Sequence, residues 1–121
     1  MIMSKLPKPI GPYSVFREAG DLVFVSGQIP IDIETGDIVS DTIEGQAKQV
    51  MENIKLILDE VGVDFNAIVK TTCFLQDLEH FNTFNDIYGS YFTDKTPARS
   101  AFQVAKLPKG ALLEVEFIIH K

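Results

Sequence analysis

The stretch Leu112-Leu113-Glu114-Val115-Glu116-Phe117-Ile118-Ile119-His120 carries the alternation on which the fold turns. Successive side chains leave a strand on opposite sides, so Leu113, Val115, Phe117 and Ile119 share one face. Glu114, Glu116, Ile118 and His120 share the other. The first face is wholly apolar and has to meet helices. Upstream, Arg99–Ala105 reads as a second strand, closed off by a Lys106–Gly110 turn that contains Pro108. Its apolar members Phe102 and Val104 are expected on the core side, which sends Arg99, Ala101 and Gln103 the other way. On this reading Arg99 and Glu114 project together from the sheet face turned away from the helices.

Two helices are available to cover the apolar face. The clearer spans about Thr42 to Val61, with Ile43, Ala47, Val50, Ile54, Ile57, Leu58 and Val61 at helical spacing. Asp41 with Glu44 makes a capping-box-like start, and Gly62 supplies the stop. The second spans about Leu78 to Phe92, with Asp77 as cap and Phe81, Phe84, Tyr88, Tyr91 and Phe92 on one side. Leu22–Ile29 and Ile68–Leu75 are apolar, β-branched strands. Tyr13–Ala19 is a weaker strand candidate, turned back through Gly20-Asp21. Around the turn Glu34–Asp37, residues 31–33 and 38–39 make at most a short peripheral hairpin.

An α+β fold with one sheet and two helices on one face follows, as a single domain over residues 1–121. The uncovered face mixes Leu22, Phe24, Ala101 and Ile118 with charges. Either it meets other copies of the chain, or it is the wetted side of an antiparallel sheet. Contact between copies is the expectation, with polar groups gathered between protomers.

Of the 121 residues, 45% are hydrophobic and 23% charged, which is ordinary globular composition. The net charge of −6 argues against a nucleic-acid partner, whose footprint is a basic patch. One cysteine, Cys73, makes no internal disulfide and reads as a small buried hydrophobe. Met1–Pro7 holds no apolar run long enough for a signal-peptide core, and no membrane-length apolar stretch occurs, so a cytoplasmic location is expected.

Phosphate-binding glycine loops, nucleophile elbows and helix-borne histidine pairs are missing. Cys73, His80 and His120 lack metal-ligand spacing, so neither a metal nor a cofactor is expected. Ser26 has no evident base and reads as strand-end turn chemistry. What remains is Arg99, set after Thr96-Pro97-Ala98, together with carboxylates. A guanidinium grips a carboxylate through two parallel bonds, so Arg99 suits a small organic acid or, equally, an ion pair with Glu114 or Glu116. Glu114 is a general acid/base if desolvated and an ordinary strand glutamate if not. Tyr13, after Gly11-Pro12, offers either a hydroxyl from a rigid turn or a ring to pack.

Several segments, in order, carry a specific resemblance. They are Ile10–Ser14, Val25–Pro30, Ile68–Leu75, Phe84-Asn85 with Tyr88, Pro97–Ser100, Val104–Lys109 and Glu114–Glu116. Together they resemble the Rid (reactive intermediate deaminase) family, also called YjgF, over nearly the whole chain. The resemblance implies a chorismate-mutase-like α+β fold with a mixed sheet. It also implies a homotrimer with a central barrel and clefts between subunits. It makes Arg99 the carboxylate binder and Glu114 the residue that orients water. Tyr13, Ser26, Gly27 and Asn85 would line the cleft. Ala101 stands where many members have cysteine, so a thiolate role is lost while the backbone contact remains. The implied activity is hydrolytic deamination of 2-aminoacrylate-type enamines and imines to 2-keto acids and ammonia. The alternatives are a trimeric sensor of small carboxylates, which needs Arg99 but not Glu114, and an RNA-directed activity, which the charge disfavours.

Overall fold

The computed structural model describes residue 6 and residues 8–121. Most of Met1–Pro7, where the expectation about a signal peptide falls, therefore lies outside the described residues. One five-stranded sheet runs in the order β1-β2-β5-β3-β4. The strands are β1 (Phe16–Ala19), β2 (Leu22–Gln28), β3 (Ile68–Leu75), β4 (Ala98–Gln103) and β5 (Leu113–His120). All neighbours are antiparallel except β3 and β4, which are parallel and joined through the second helix. The sheet is therefore mixed, as the resemblance implied.

Helix α1 (Ile43–Val61) and helix α2 (Phe81–Gly89) cover one face. Leu113, Val115, Phe117 and Ile119 of β5 are buried with Val23, Val25, Ile68, Cys73 and Leu75 against both helices. The alternation of the last strand thus holds to the residue. The Ile31–Ile38 bridge is the whole of the peripheral hairpin.

The helix ends differ in detail from the sequence reading. Thr42, not Asp41, caps α1, its side chain accepting from the Gly45 N–H at 3.1 Å, and Ser40 braces the Thr42 backbone. The small hydroxyls at Ser40 and Thr42 close that turn among themselves and leave Asp41 outside it. Gly62 stops α1 at φ 92°, a conformation a side chain resists. Asp77 caps a single 3₁₀ turn, Leu78–His80, from which α2 continues only as far as Gly89. Tyr91 and Phe92 then pack from a turn, where Phe65 meets both rings at 5.4 Å. The strand expected from Tyr13 begins at Phe16.

Two buried amides join α1 to the loops around it. Gln46 donates to the Ser40 carbonyl at 2.7 Å and accepts from the Leu112 N–H at 2.8 Å, fixing the start of β5. Asn53, fully buried, donates to the Ile31 carbonyl at 3.0 Å. Buried polar groups are tolerated when paired in this way.

The largest correction concerns β4. In register, Thr71 stands beside both Arg99 and Phe117, and Cys73 beside both Ala101 and Val115. Arg99, Ala101 and Gln103 therefore belong to the helix side, and Ala101 packs against the core. Phe74 stands beside both Phe102 and Glu114 on the open side. Phe102 is half exposed and stacks on Phe74 at 6.3 Å, and Val104 lies beyond the strand end. The expectation that Phe102 faces the core, and Arg99 the open side with Glu114, is overturned. The reason is physical: β4 is an edge strand on which α2 sits with an aromatic face, and that face accepts a cation as well as it accepts a hydrophobe.

Candidate functional site

Arg99 lies in a nest made by α2. Its guanidinium donates to the Asn85 side-chain carbonyl at 2.7 Å. It lies 5.2 Å from the Phe81 ring centre and 4.9 Å from that of Tyr88. A cation within about 6 Å of a ring face is attracted to it. Helical spacing places Phe81, Asn85 and Tyr88 on one side of α2, so a single short helix supplies all three. Tyr88 is held in turn by a 2.7 Å hydrogen bond to the Thr71 hydroxyl, buried beneath it on β3. Burial raises the Tyr88 phenol above its ordinary range, which keeps it a neutral hydroxyl.

The ion pairs among the described residues are Lys55–Asp59 and Lys121–Glu18, and Arg99 belongs to neither. The pairing of Arg99 with Glu114 or Glu116, open in the sequence, does not form within the chain. The guanidinium is thus oriented by neutral groups, with no carboxylate among the described residues neutralising it.

Glu114 lies on the opposite face of the sheet. Together with Tyr13, Gly27, Gln28, Ile31 and Lys109 it lines a cavity of about 320 Å³. Glu114 is half-buried, and burial pushes its carboxyl above the usual carboxylate range, with Glu116 adding repulsion. A carboxyl so placed both gives and takes a proton nearer neutrality than an exposed glutamate does.

The remaining expected residues gather on the Glu114 side. Tyr13 is exposed, with its backbone N–H closing a turn onto the Gly11 carbonyl at 2.9 Å. Its hydroxyl accepts from the Ile10 N–H at 3.4 Å, so the ring folds back over its own turn. The Ser26 hydroxyl donates to the Ser14 carbonyl at 2.6 Å, tying the Tyr13 turn to β2. Ser26 thus lies inside β2 at its bulge rather than in the strand-end turn expected from the sequence. Lys109 reaches across the cavity mouth to the Gly36 carbonyl at 3.0 Å.

The residues singled out in the sequence therefore fall into two groups with the sheet between them: Arg99 with Asn85, and Tyr13 and Gly27 with Glu114 around one cavity, Ser26 lining a neighbouring hollow with Tyr13. Phe81, Tyr88 and Thr71, which flank or support Arg99, were not singled out in the sequence. The aromatic face of the second helix was visible in the sequence, but it reads as core packing. Cys73 is buried, and burial pushes its thiol up to about 11, as expected of a core position. No group of three or more histidine, cysteine or acidic side chains is placed to share a metal ion among the described residues. None of their helices is long and apolar enough to cross a membrane.

Residues 3–121 match the family model described as Endoribonuclease L-PSP. A RutC family protein of Pyrococcus abyssi is 51% identical over 97% of this chain and 92% of its own length. The human 2-iminobutanoate/2-iminopropanoate deaminase is 44% identical over 95% of this chain and 84% of its own. Among solved structures, the YyfA protein of the Rid family from Yersinia pestis superposes with a TM-score of 0.94 at 42% identity. That superposition covers 99% of this chain and 96% of the other.

Proposed function

The chain belongs to the Endoribonuclease L-PSP family, which includes Rid deaminases, and from that premise we propose that it hydrolyses short 2-imino acids and their enamine tautomers. The products are a 2-keto acid and ammonia. The observation that carries this reading is the Arg99 nest: a permanently charged, oriented guanidinium with no carboxylate partner among the described residues. Its free donors suit a carboxylate of the size and planarity that an imino acid presents.

The reaction asks little else of the protein. Water adds across the C=N bond at C2, forming the C–O bond and moving the bond's electron pair to nitrogen. The tetrahedral adduct then expels ammonia as the C–N bond breaks and the carbonyl forms. Glu114, as the carboxylate, takes a proton from the attacking water and returns one to the departing nitrogen. Its raised proton affinity suits both duties. Backbone groups near Ser26, Gly27 and Ala101 orient the nitrogen end. Positioning together with one acid/base group, the latter contributing about 10²–10⁴-fold, suffices for a bond that already hydrolyses in water.

Because Arg99 and Glu114 leave the sheet on opposite faces, the complete cleft takes them from two copies of the chain. The homotrimer implied by the resemblance supplies this arrangement. The exposed Phe24 and Phe102 on the open face support such packing.

The test is a coupled assay in which a serine or threonine dehydratase generates 2-aminoacrylate and keto-acid release is followed. Wild type accelerates release, while Arg99→Ala and a protein-free control do not. If wild type gives no acceleration yet binds keto acids through Arg99, the protein is a carboxylate sensor and the hydrolytic reading fails.

A further inference from the structure

Gly27 is a glycine that its backbone does not demand. Gly20, Gly36, Gly62 and Gly110 have positive φ, where side chains are disfavoured, and Gly27 does not. It sits in a break of the β2–β5 ladder. Val25 pairs with Phe117 and Gln28 with Val115, so Ser26 and Gly27 together oppose Glu116 alone. A bulge of this kind bends the strand and re-aims what lies beside it.

What lies beside it is the Glu114 side chain. A Cβ on residue 27 would overlap the Glu114 Oε2 atom outright, and would stand 2.7 Å from Cδ and 3.0 Å from Cγ. The carboxylate thus occupies the volume that any other residue's first side-chain atom would fill. Among the described residues no side-chain hydrogen bond fixes Glu114, so packing against the bulge is what orients it.

We propose that Gly27 is the positioning residue for Glu114: its missing side chain is the seat in which the carboxylate lies against the β2 bulge, at the wall of the cavity. This inference rests on the reading of Glu114 as the acid/base group. It goes beyond the cleft-lining role implied for Gly27 by giving that residue a steric function toward another side chain. The colliding atoms belong to the flexible end of Glu114 rather than to backbone. Gly27→Ala therefore swings the carboxylate away and leaves the fold intact.

The experiment compares wild type, Gly27→Ala, Glu114→Ala and the double variant Gly27→Ala/Glu114→Ala. The readouts are kcat and KM for enzymatically generated 2-aminoacrylate, Tm, and an NMR titration of ¹³C-labelled glutamate carboxyls. Gly27→Ala is expected to lower kcat by most of the loss seen in Glu114→Ala, with KM changed little because Arg99 is untouched. The double variant is expected to be no slower than Glu114→Ala. The Glu114 carboxyl, raised by burial against the bulge in wild type, should fall toward the usual carboxylate range in Gly27→Ala. If Gly27→Ala is instead poorly folded, deleting the Glu114 carboxylate removes the collision and the double variant should regain Tm.

The proposal is overturned if kcat and the Glu114 titration are unchanged in Gly27→Ala while Glu114→Ala is slow. Losses that simply multiply in the double variant, or an unrecovered Tm, also overturn it. If Glu114→Ala keeps wild-type kcat, the acid/base reading fails, and the Glu114 titration in Gly27→Ala still decides whether Gly27 seats the carboxylate.

Discussion

The Arg99 nest and the Glu114 seat lie on opposite sides of one sheet and are built from opposite materials. The nest is made of side chains: Asn85 accepts from the guanidinium, Phe81 and Tyr88 flank it, and Thr71 holds Tyr88 from below. The seat is made of backbone and empty space, a strand bulge with a glycine where any side chain would collide. Rigid cations are placed by surrounding them. A flexible carboxylate is placed by opening one space and closing the others.

The largest separation between the two halves comes from neutralising Glu114. Glu114→Gln keeps the shape and removes the proton exchange, so kcat is expected to fall by about 10²–10⁴-fold with KM little changed. Near-wild-type turnover across neutral pH would remove the acid/base assignment and leave the nest as the whole site. Arg99→Lys comes next. An ammonium keeps the charge but not the paired grip, and charge-assisted bonds are worth about 1.5–3 kcal/mol, so kcat/KM should drop roughly 10- to 100-fold. A lysine variant with unaltered kcat/KM would mean that charge alone matters, which undoes the distinction drawn for the nest.

Tyr88→Phe tests the support behind the nest. It removes the partner of a buried Thr71 hydroxyl while keeping the ring beside Arg99. Stability should fall by about 1–3 kcal/mol, read by denaturant midpoint, with a smaller effect on KM. An unchanged midpoint would show that the hydroxyl pair contributes nothing.

The smallest effect is on stability against pH. Burial raises the Glu114 carboxyl above its unfolded value, so the folded state binds that proton more tightly. Stability from this group is present below the unfolded pKa and is lost as pH rises through the folded one. Glu114→Gln should therefore be slightly more stable than wild type at neutral pH, and the gain should vanish in acid. A variant less stable than wild type at neutral pH would contradict a desolvated carboxylate.

Much of this was legible in the residues. The alternation of β5, the long apolar stripe of α1 and the stop at Gly62 each follow from a single physical preference that nothing in the tertiary structure opposes. β4 was not legible, because its two faces offer similar signals. Phe102 looks like core and Arg99 like surface, and a one-residue change of facing exchanges them. What decided between them was the partner, an aromatic helix face, and a strand's own sequence does not record its partner. The cap at Thr42 was missed for a smaller reason: three consecutive residues, Ser40, Asp41 and Thr42, can all cap. How the singled-out residues sit together was not legible: Tyr13 and Gly27 share a cavity with Glu114, Asn85 bonds Arg99, and the sheet keeps the two groups apart.

The sealed position of Cys73 has a consequence for oxidative stress. It is the only sulfhydryl in the chain, fully buried between β5 and β4, with its thiol pushed up to about 11. At pH 7 only about one molecule in ten thousand carries the thiolate, the form from which sulfenic acid and mixed disulfides arise. With Ala101 on the neighbouring strand, the one sulfhydryl near Arg99 is this sealed one, so Cys73 is expected to resist oxidants that reach the surface.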